Sequence, residues 1–470
     1  MLFERYYDET LAQASYLVGC EATREAIVID PNRDVEAYVR AAHARRMRIR
    51  VVTETHIHAD FLSGARALAE ATGATLMLSG DSTPDWRYGF ATEDTRLVHD
   101  GDTIDVGQVR LTVMHAPGHT PEQVVFLVTD RATGDRPLGL LSGDFLFVGD
   151  VGRPDLLEKA AHIAGSMETA ARQLYRSLQR TAELPDYLQI WPGHGAGSAC
   201  GKSLGAVPQT TLGYERMYNP ALQQKSESDF VRWVLSDQPE PPPYFAEMKR
   251  LNKDGPPPPP SPANVRELSV SELDDALHDG GWVIDVRSSA DFARGHVTGT
   301  INIPSSNSLA TYAGTVLSYD RPIILIAKGA DQAAKAARQL ALIGMDRVTG
   351  WIPFSAIDGR TMAPSRLIDA PALARALENG SAPHIIDVRG RSEWNHEHLA
   401  AAEHIYLGDL VARTASMPRD DAIVVLCQSG TRSSIAASLL LAHGFANVSN
   451  FSGGVDAWRK AGLPLIDEHA

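Results

Sequence analysis

Thr55-His56-Ile57-His58-Ala59-Asp60-Phe61 follows an apolar run, Ile49-Arg50-Val51-Val52-Thr53-Glu54, that reads as a strand. Alternating His, His and Asp at a strand end project to one side, so their side chains can converge on a single ion. Three further segments repeat the theme of polar residues after a buried strand. His115-Ala116-Pro117-Gly118-His119-Thr120 follows a strand predicted over 108–114, Ser142-Gly143-Asp144 ends one over 138–142, and Trp191-Pro192-Gly193-His194 ends one over 187–191. Pro117 and Gly118 form the turn that aims His119. Each segment alone reads equally well as a satisfied core histidine or a capping aspartate. Four of them, each at a strand end, point to a metal site. A further strand over 123–129 and helices over 35–46, 63–72 and 157–180 predict sheets with helices outside them.

The chain has 470 residues, a length that suggests about three domains, and 44% of them are hydrophobic, enough for packed cores. Acidic residues outnumber basic ones, 58 to 44, for a net charge of −14. Such a surface repels phosphate backbones, so no nucleic-acid partner is expected. No apolar run reaches the roughly 18–20 residues of a membrane span. The N-terminus lacks the charged-then-apolar pattern of a signal peptide, so no membrane partner and a cytoplasmic location are expected. The three cysteines, Cys20, Cys200 and Cys427, are too few for a disulfide framework and suit a reducing compartment. Cys20 sits in an apolar strand and reads as core packing.

Proline runs at 239–243 and 256–262 flank Tyr244-Phe-Ala-Glu-Met-Lys-Arg-Leu251, a short helix or strap. The expected divisions are therefore 1–238, a proline-rich linker or strap over 239–262, then 263–362 and 363–470. The last two are copies of each other. Val283-Ile-Asp-Val-Arg287 recurs as Ile385-Ile-Asp-Val-Arg389, and Ile323-Ile-Leu-Ile-Ala327 as Ile423-Val-Val-Leu-Cys427, at an offset of about 100 residues. Short apolar strands alternating with Ala-rich helices predict a parallel α/β sheet in each copy.

Cys427-Gln-Ser-Gly430-Thr-Arg432-Ser-Ser follows a buried strand and opens a helix predicted over 435–443. Backbone N–H groups and a helix N-terminus favour a thiolate there, which can accept and pass on a sulfur atom. Arg432 is suited to an anionic donor or acceptor. In the first copy Ala327 stands at the cysteine position, so no sulfur can be carried covalently, and Lys328 is read as a solvated loop residue.

The set His56-x-His58-x-Asp60, Pro117-Gly-His119-Thr120, Gly143-Asp144 and Pro192-Gly-His194 resembles the metallo-β-lactamase superfamily over about residues 1–235. That resemblance implies an αββα sandwich with a metal site at one edge of its sheets. Members with two metals carry a histidine directly after the motif aspartate, where this chain has Phe61. The loss resembles the persulfide dioxygenases. It implies one Fe(II) per domain on His56, His119 and Asp144, with His58, Asp60 and His194 behind the ligands. Gly152-Arg153-Pro154-Asp155 is similar to a segment of that subgroup. Arg153 is a candidate for a carboxylate of the thiol carrier or, equally, for an internal salt bridge. Lys202, in the glycine-rich loop after Cys200, is placed to lower that thiol's pKa or to bind substrate, and resemblance to bacterial dioxygenase–rhodanese fusions implies that Cys200 faces the iron pocket. The repeat, with Asp387-Val-Arg389 and Phe451-Ser-Gly-Gly454, resembles the rhodanese family, the first copy as a pseudo-rhodanese.

The fold class implied is α/β multidomain: an αββα metallo-β-lactamase sandwich followed by two rhodanese-like parallel α/β domains. The activity implied is oxidation of a thiol persulfide (glutathione, coenzyme A or similar) by O2 to sulfite, with Cys427 exchanging sulfur with sulfite and thiosulfate. Two alternatives stay open: a zinc or dinuclear thioester hydrolase of the glyoxalase II type, and a non-enzymatic sulfur carrier or sensor. The thiol, the direction of sulfur flow between Cys200 and Cys427, and homo-oligomerisation also stay open.

Overall fold

A computed structural model describes residues 1–160, 164–260, 265–357, 359–360 and 362–467. The chain divides into two compact units, Met1–Pro260 with Leu342–Gly344, and Ser261–Ala341 with Met345–Ala470.

The first unit holds two six-stranded sheets. In one, the antiparallel strands Leu2–Asp8, Gln13–Cys20 and Glu25–Ile29 continue into the parallel strands Arg48–Thr53, Thr75–Ser79 and Arg96–Val98. The other is largely antiparallel, through Thr103–Val106, Val109–His115, Val124–Asp130 and Gly139–Gly143, with Gln189–Pro192 parallel to the last of these. Alternation along the strands explains the layering. Ala14, Tyr16, Val18, Ile27, Ile29, Leu111, Val113, Phe126 and Val128 point into one core between the sheets. Leu17, Ala26 and Val28 face a second core under the helices Val35–Ala44 and Ala65–Thr72, while Met114 and Val125 face a third under Ser166–Gln179 and Glu227–Leu235. Each sheet is thus covered on both faces, the αββα arrangement.

The predicted helix over 157–180 is instead two, Leu156–Lys159 and Ser166–Gln179. Gly165, at φ 72°, supplies the left-handed entry to the second, which the apolar periodicity did not reveal. The segment between the proline runs is the helix Tyr244–Asp254, and it belongs to the first unit. Cys20 is buried in the inter-sheet core.

The second unit carries two parallel sheets. Ile301–Asn302, Trp282–Asp285, Ile323–Ala327 and Val348–Pro353 form one; Arg366–Ile368, Val448–Phe451, Ile423–Leu426, His384–Asp387 and Ala402–His404 form the other. The repeat extends to side chains. Arg287 forks onto Asp285 and donates to the Gly295 carbonyl, as Arg389 forks onto Asp387 and donates to that of Glu397. His296 stacks on Phe292 at 3.9 Å, as His398 does on Trp394 at 3.8 Å. Among the described residues, no helix is long and apolar enough to cross a membrane.

Candidate functional site

Strand ends of both sheets meet at one edge of the first unit. His56, His58 and Asp60 follow Arg48–Thr53; His119, Asp144 and His194 follow three strands of the other sheet. All six are at least 95% buried. The side chains of His56, His119 and Asp144 each offer one donor atom, and these atoms lie within 4.8 Å of one another. His56 Nε2 is 3.8 Å and His119 Nε2 3.7 Å from Asp144 Oδ2.

Hydrogen bonds behind the rings fix which nitrogen faces inward. Thr55 donates its hydroxyl to Asp30 Oδ2, so its oxygen is left to accept the Nδ1–H of His56 at 2.9 Å. His119 Nδ1 donates to the Arg153 carbonyl at 3.1 Å, and His194 Nδ1 to that of Ala12 at 3.0 Å. Each Nε2 lone pair is therefore presented to the centre, an arrangement typical of metal-ligating imidazoles. Burial, with His58 and Lys249 respectively next in weight, holds His56 and His119 well below the ordinary histidine value, so both rings are neutral. Burial raises Asp144 to about 6, against the pull of His194. His56 Nε2 and both oxygens of Asp144 and Asp60 are buried with no hydrogen-bond partner. Such orphaned atoms are costly unless a cation satisfies them, so the donor set fits a metal ion.

Two glycines are required by close approach. A Cβ on Gly118, where φ is 145°, would lie 2.4 Å from Leu174 Cα, and one on Gly152 would lie 1.8 Å from the Asp144 carbonyl oxygen.

His58 turns away from the triad. Its Nε2 contacts Asp30 Oδ1 at 3.2 Å, and its ring lies between those of His56 and Phe61. Burial alone would lower its pKa, but Asp30, Glu54 and Asp60 raise it to about 9. Asp60, His194 and Cys200 form a second cluster with donor atoms within 4.8 Å, and His194 Nε2 lies 3.4 Å from both Asp60 Oδ2 and Asp144 Oδ1. The thiol of Cys200 thus stands beside the two motif residues that Phe61 leaves without a third histidine.

The open reading of Arg153 is decided, and the expectation for Lys202 is corrected. Arg153 is fully buried, forks onto Asp155 at 3.1 and 2.8 Å, and donates to the carbonyls of Ala199 and Pro239. It is the internal salt bridge and does not face a thiol carrier. Lys202 donates to the carbonyls of Trp233 and Ser236 and lies 3.8 Å from the Trp233 ring centroid, so its charge is held there. Burial, then Asp60 and Asp144, pushes the Cys200 thiol well above its ordinary value. The sequence reading missed Asp30, which holds Thr55 and His58, and Glu122, whose Oε1 accepts from Ile57 N at 2.6 Å. Asp30 ends an apolar strand just as Asp144 does, and that was the available signal.

In the second unit, Cys427 is buried where Ile423–Leu426 turns into the helix Thr431–Ala442, which begins four residues earlier than predicted. Gly430, at φ 106°, directs its N–H to Cys427 Sγ at 3.1 Å, and Ser433 Oγ lies 3.4 Å away. Arg432 forks onto Glu393 at 2.6 and 2.7 Å, so its charge is partly committed. In the first copy, Lys328 pairs with Asp291 at 2.7 Å and its N–H is capped by Gln332, which closes the loop beside Ala327.

The Metallo-beta-lactamase superfamily model matches residues 9–194, and the Rhodanese-like domain model matches 269–350 and 369–461. A metallo-beta-lactamase of known structure from Staphylococcus aureus is 43% identical, with a TM-score of 0.68; the match covers 75% of this chain and 99% of that one. The chain belongs to the metallo-β-lactamase superfamily. Its C-terminal half adds two rhodanese-like domains. Within the superfamily, a mitochondrial persulfide dioxygenase from Bos taurus is 26% identical over 241 residues, covering 49% of this chain and 80% of that protein. A beta-lactamase hydrolase-like protein from Xylella fastidiosa is 28% identical over 251 residues, or 48% of this chain; the match spans only about half, 53%, of that relative. Both domain families suggest an enzyme, and the His/Asp cluster is a set of residues that could hold a metal ion.

Proposed function

We propose that this protein is a non-haem iron persulfide dioxygenase coupled to a rhodanese sulfurtransferase. The observation that carries the reading is the triad of inward-facing donors on His56, His119 and Asp144, two imidazoles and one carboxylate. A ferrous ion held there would supply open positions and redox capacity for a thiol persulfide and dioxygen. The chain's own groups do the rest. Asp30 and Thr55, and the Arg153 carbonyl, lock the ring tautomers of His56 and His119. Phe61 and Phe147, both buried, set apolar rings beside those of His58 and His194. In the overall reaction, a persulfide, dioxygen and water give a thiol, sulfite and protons. At Cys427, the thiolate attacks a sulfane sulfur, the donor's bond to it breaks, and the resulting cysteine persulfide passes that sulfur to sulfite, giving thiosulfate and the free thiolate. The Gly430 N–H steadies the thiolate at both stages.

The test is product partition. Protein loaded anaerobically with Fe(II) and given glutathione persulfide in air should yield thiosulfate, and its Cys427→Ser variant should stop at sulfite. Neither product from either protein would end the proposal. A dinuclear hydrolase is the second reading, favoured by the Asp60, His194 and Cys200 cluster; two equivalents of tightly bound zinc and thioester cleavage would establish it.

A further inference from the structure

The helix Tyr244–Asp254 carries its buried residues at Phe245, Met248, Lys249 and Asn252, the spacing of one helix face. Asn252 fastens that face to the metal-motif loop. Its amide donates to the carbonyls of His58 and Phe61 at 2.9 and 2.7 Å, and its oxygen accepts from Ser63 N at 3.0 Å. Lys249, one turn back on the same face, is 1% exposed, and its Nζ has no hydrogen-bond partner.

A buried ammonium without a partner is among the least tolerated groups in a protein interior, and burying one usually reflects a ligand or a counter-ion. The carboxylates whose charges bear on Lys249 are Glu122, Asp144 and Asp155, and it bears in turn on His56 and His119. None is within salt-bridge reach. Trp86, whose ring centroid is 5.5 Å from Nζ, has a buried, unpartnered Nε1, and Glu122 Oε2 is likewise buried without a partner. Trp86 and Tyr88 pack on Ile57, between the two motif histidines. Two donors, one of them charged, are thus unsatisfied together, and the charged one acts on both His56 and His119. Burial brings the Lys249 ammonium down to about 8, still mostly charged at neutral pH.

We propose that Lys249 is the anion-binding residue of the metal pocket, pairing with a small sulfur anion, persulfide on entry and sulfite on exit, with the Trp86 indole as a neutral donor. The identity of the anion rests on the persulfide reading; the existence of an anion site does not.

The test is a calorimetric titration of sulfite into full-length, metal-loaded protein without dioxygen or persulfide, so that turnover plays no part. Metal content and thermal unfolding are measured alongside. Wild type should bind sulfite, Lys249→Met should bind it at least tenfold more weakly with metal content unchanged, and Lys249→Arg should keep part of the affinity. Equal binding by Lys249→Met, or no binding by wild type, would overturn the proposal. If both variants lose metal or melt early, Lys249 is a structural charge and the proposal falls. A protein that binds sulfite through Lys249 yet takes up no oxygen with any persulfide would retain the anion site and lose the dioxygenase reading.

Discussion

Asn252→Ala isolates the contact that joins the helix Tyr244–Asp254 to the metal loop. The side chain is 1% exposed and makes three hydrogen bonds, to His58 O, Phe61 O and Ser63 N. Truncation orphans three buried backbone groups at about 1–3 kcal/mol each, a gross cost of roughly 3–9 kcal/mol. A water entering the vacated volume recovers part of this, so we expect a net loss of about 3–5 kcal/mol. Because the chain has several domains, a global unfolding curve would blur the effect. Hydrogen exchange read by peptide is the better assay. A loss of about 3 kcal/mol in local opening energy lowers protection roughly a hundredfold, and it should fall on peptides covering 56–63 and 244–254 together. The second unit serves as an internal control, with no change expected over 384–451. A fall of less than tenfold, or one confined to the helix, would refute the claim that Asn252 couples the two segments.

Other expectations follow from the same contacts. Asp30→Asn should weaken metal binding about 10–100-fold by releasing Thr55 and His58, measured by competition with a chelator; unchanged affinity would remove Asp30 from the site's support. Asp155→Asn leaves Arg153 buried without its carboxylate and should destabilise the first unit by about 3–5 kcal/mol in chemical denaturation. Burial would raise the Asp155 pKa, but Arg153 and Lys159 bring it below the ordinary value. Its stabilisation is therefore complete above about pH 4 and is lost as pH falls through the lower folded value, an acid limb that Asp155→Asn should flatten. Ala327→Cys in a Cys427→Ser background should not restore sulfur transfer from thiosulfate. The helix of the first copy begins at Ala330, three positions after Ala327 against four in the second copy, and Lys328 is held by Asp291 and Gln332.

The parts of this architecture that depend on local pattern were readable in the chain. His56-x-His58-x-Asp60, His119, Asp144 and His194 each follow a strand, and the strand positions were close because short apolar runs bounded by turn residues mark buried strands. The repeat was readable because Asp285 with Arg287 and Asp387 with Arg389 do the same packing job in both copies. What could not be read depends on pairing across distance. Lys202 looked available, and Arg153 stayed open between a carrier and an internal salt bridge, because nothing nearby in sequence shows that Ala199, Pro239, Trp233 and Ser236 take up their donors. Nothing in its charge marked Lys249, which stands in sequence among the charged residues Glu247, Arg250 and Lys253. Its one signal was that Phe245, Met248, Lys249 and Asn252 share a helical stripe.

The measurement that bears most directly on the central claim is oxygen uptake by anaerobically purified, Fe(II)-loaded protein on addition of glutathione persulfide, with His119→Ala alongside. Wild type should take up oxygen and yield sulfur oxyanions, and the variant should show neither uptake nor stoichiometric iron. No uptake by iron-loaded wild type with glutathione, coenzyme A or other persulfides would contradict that claim.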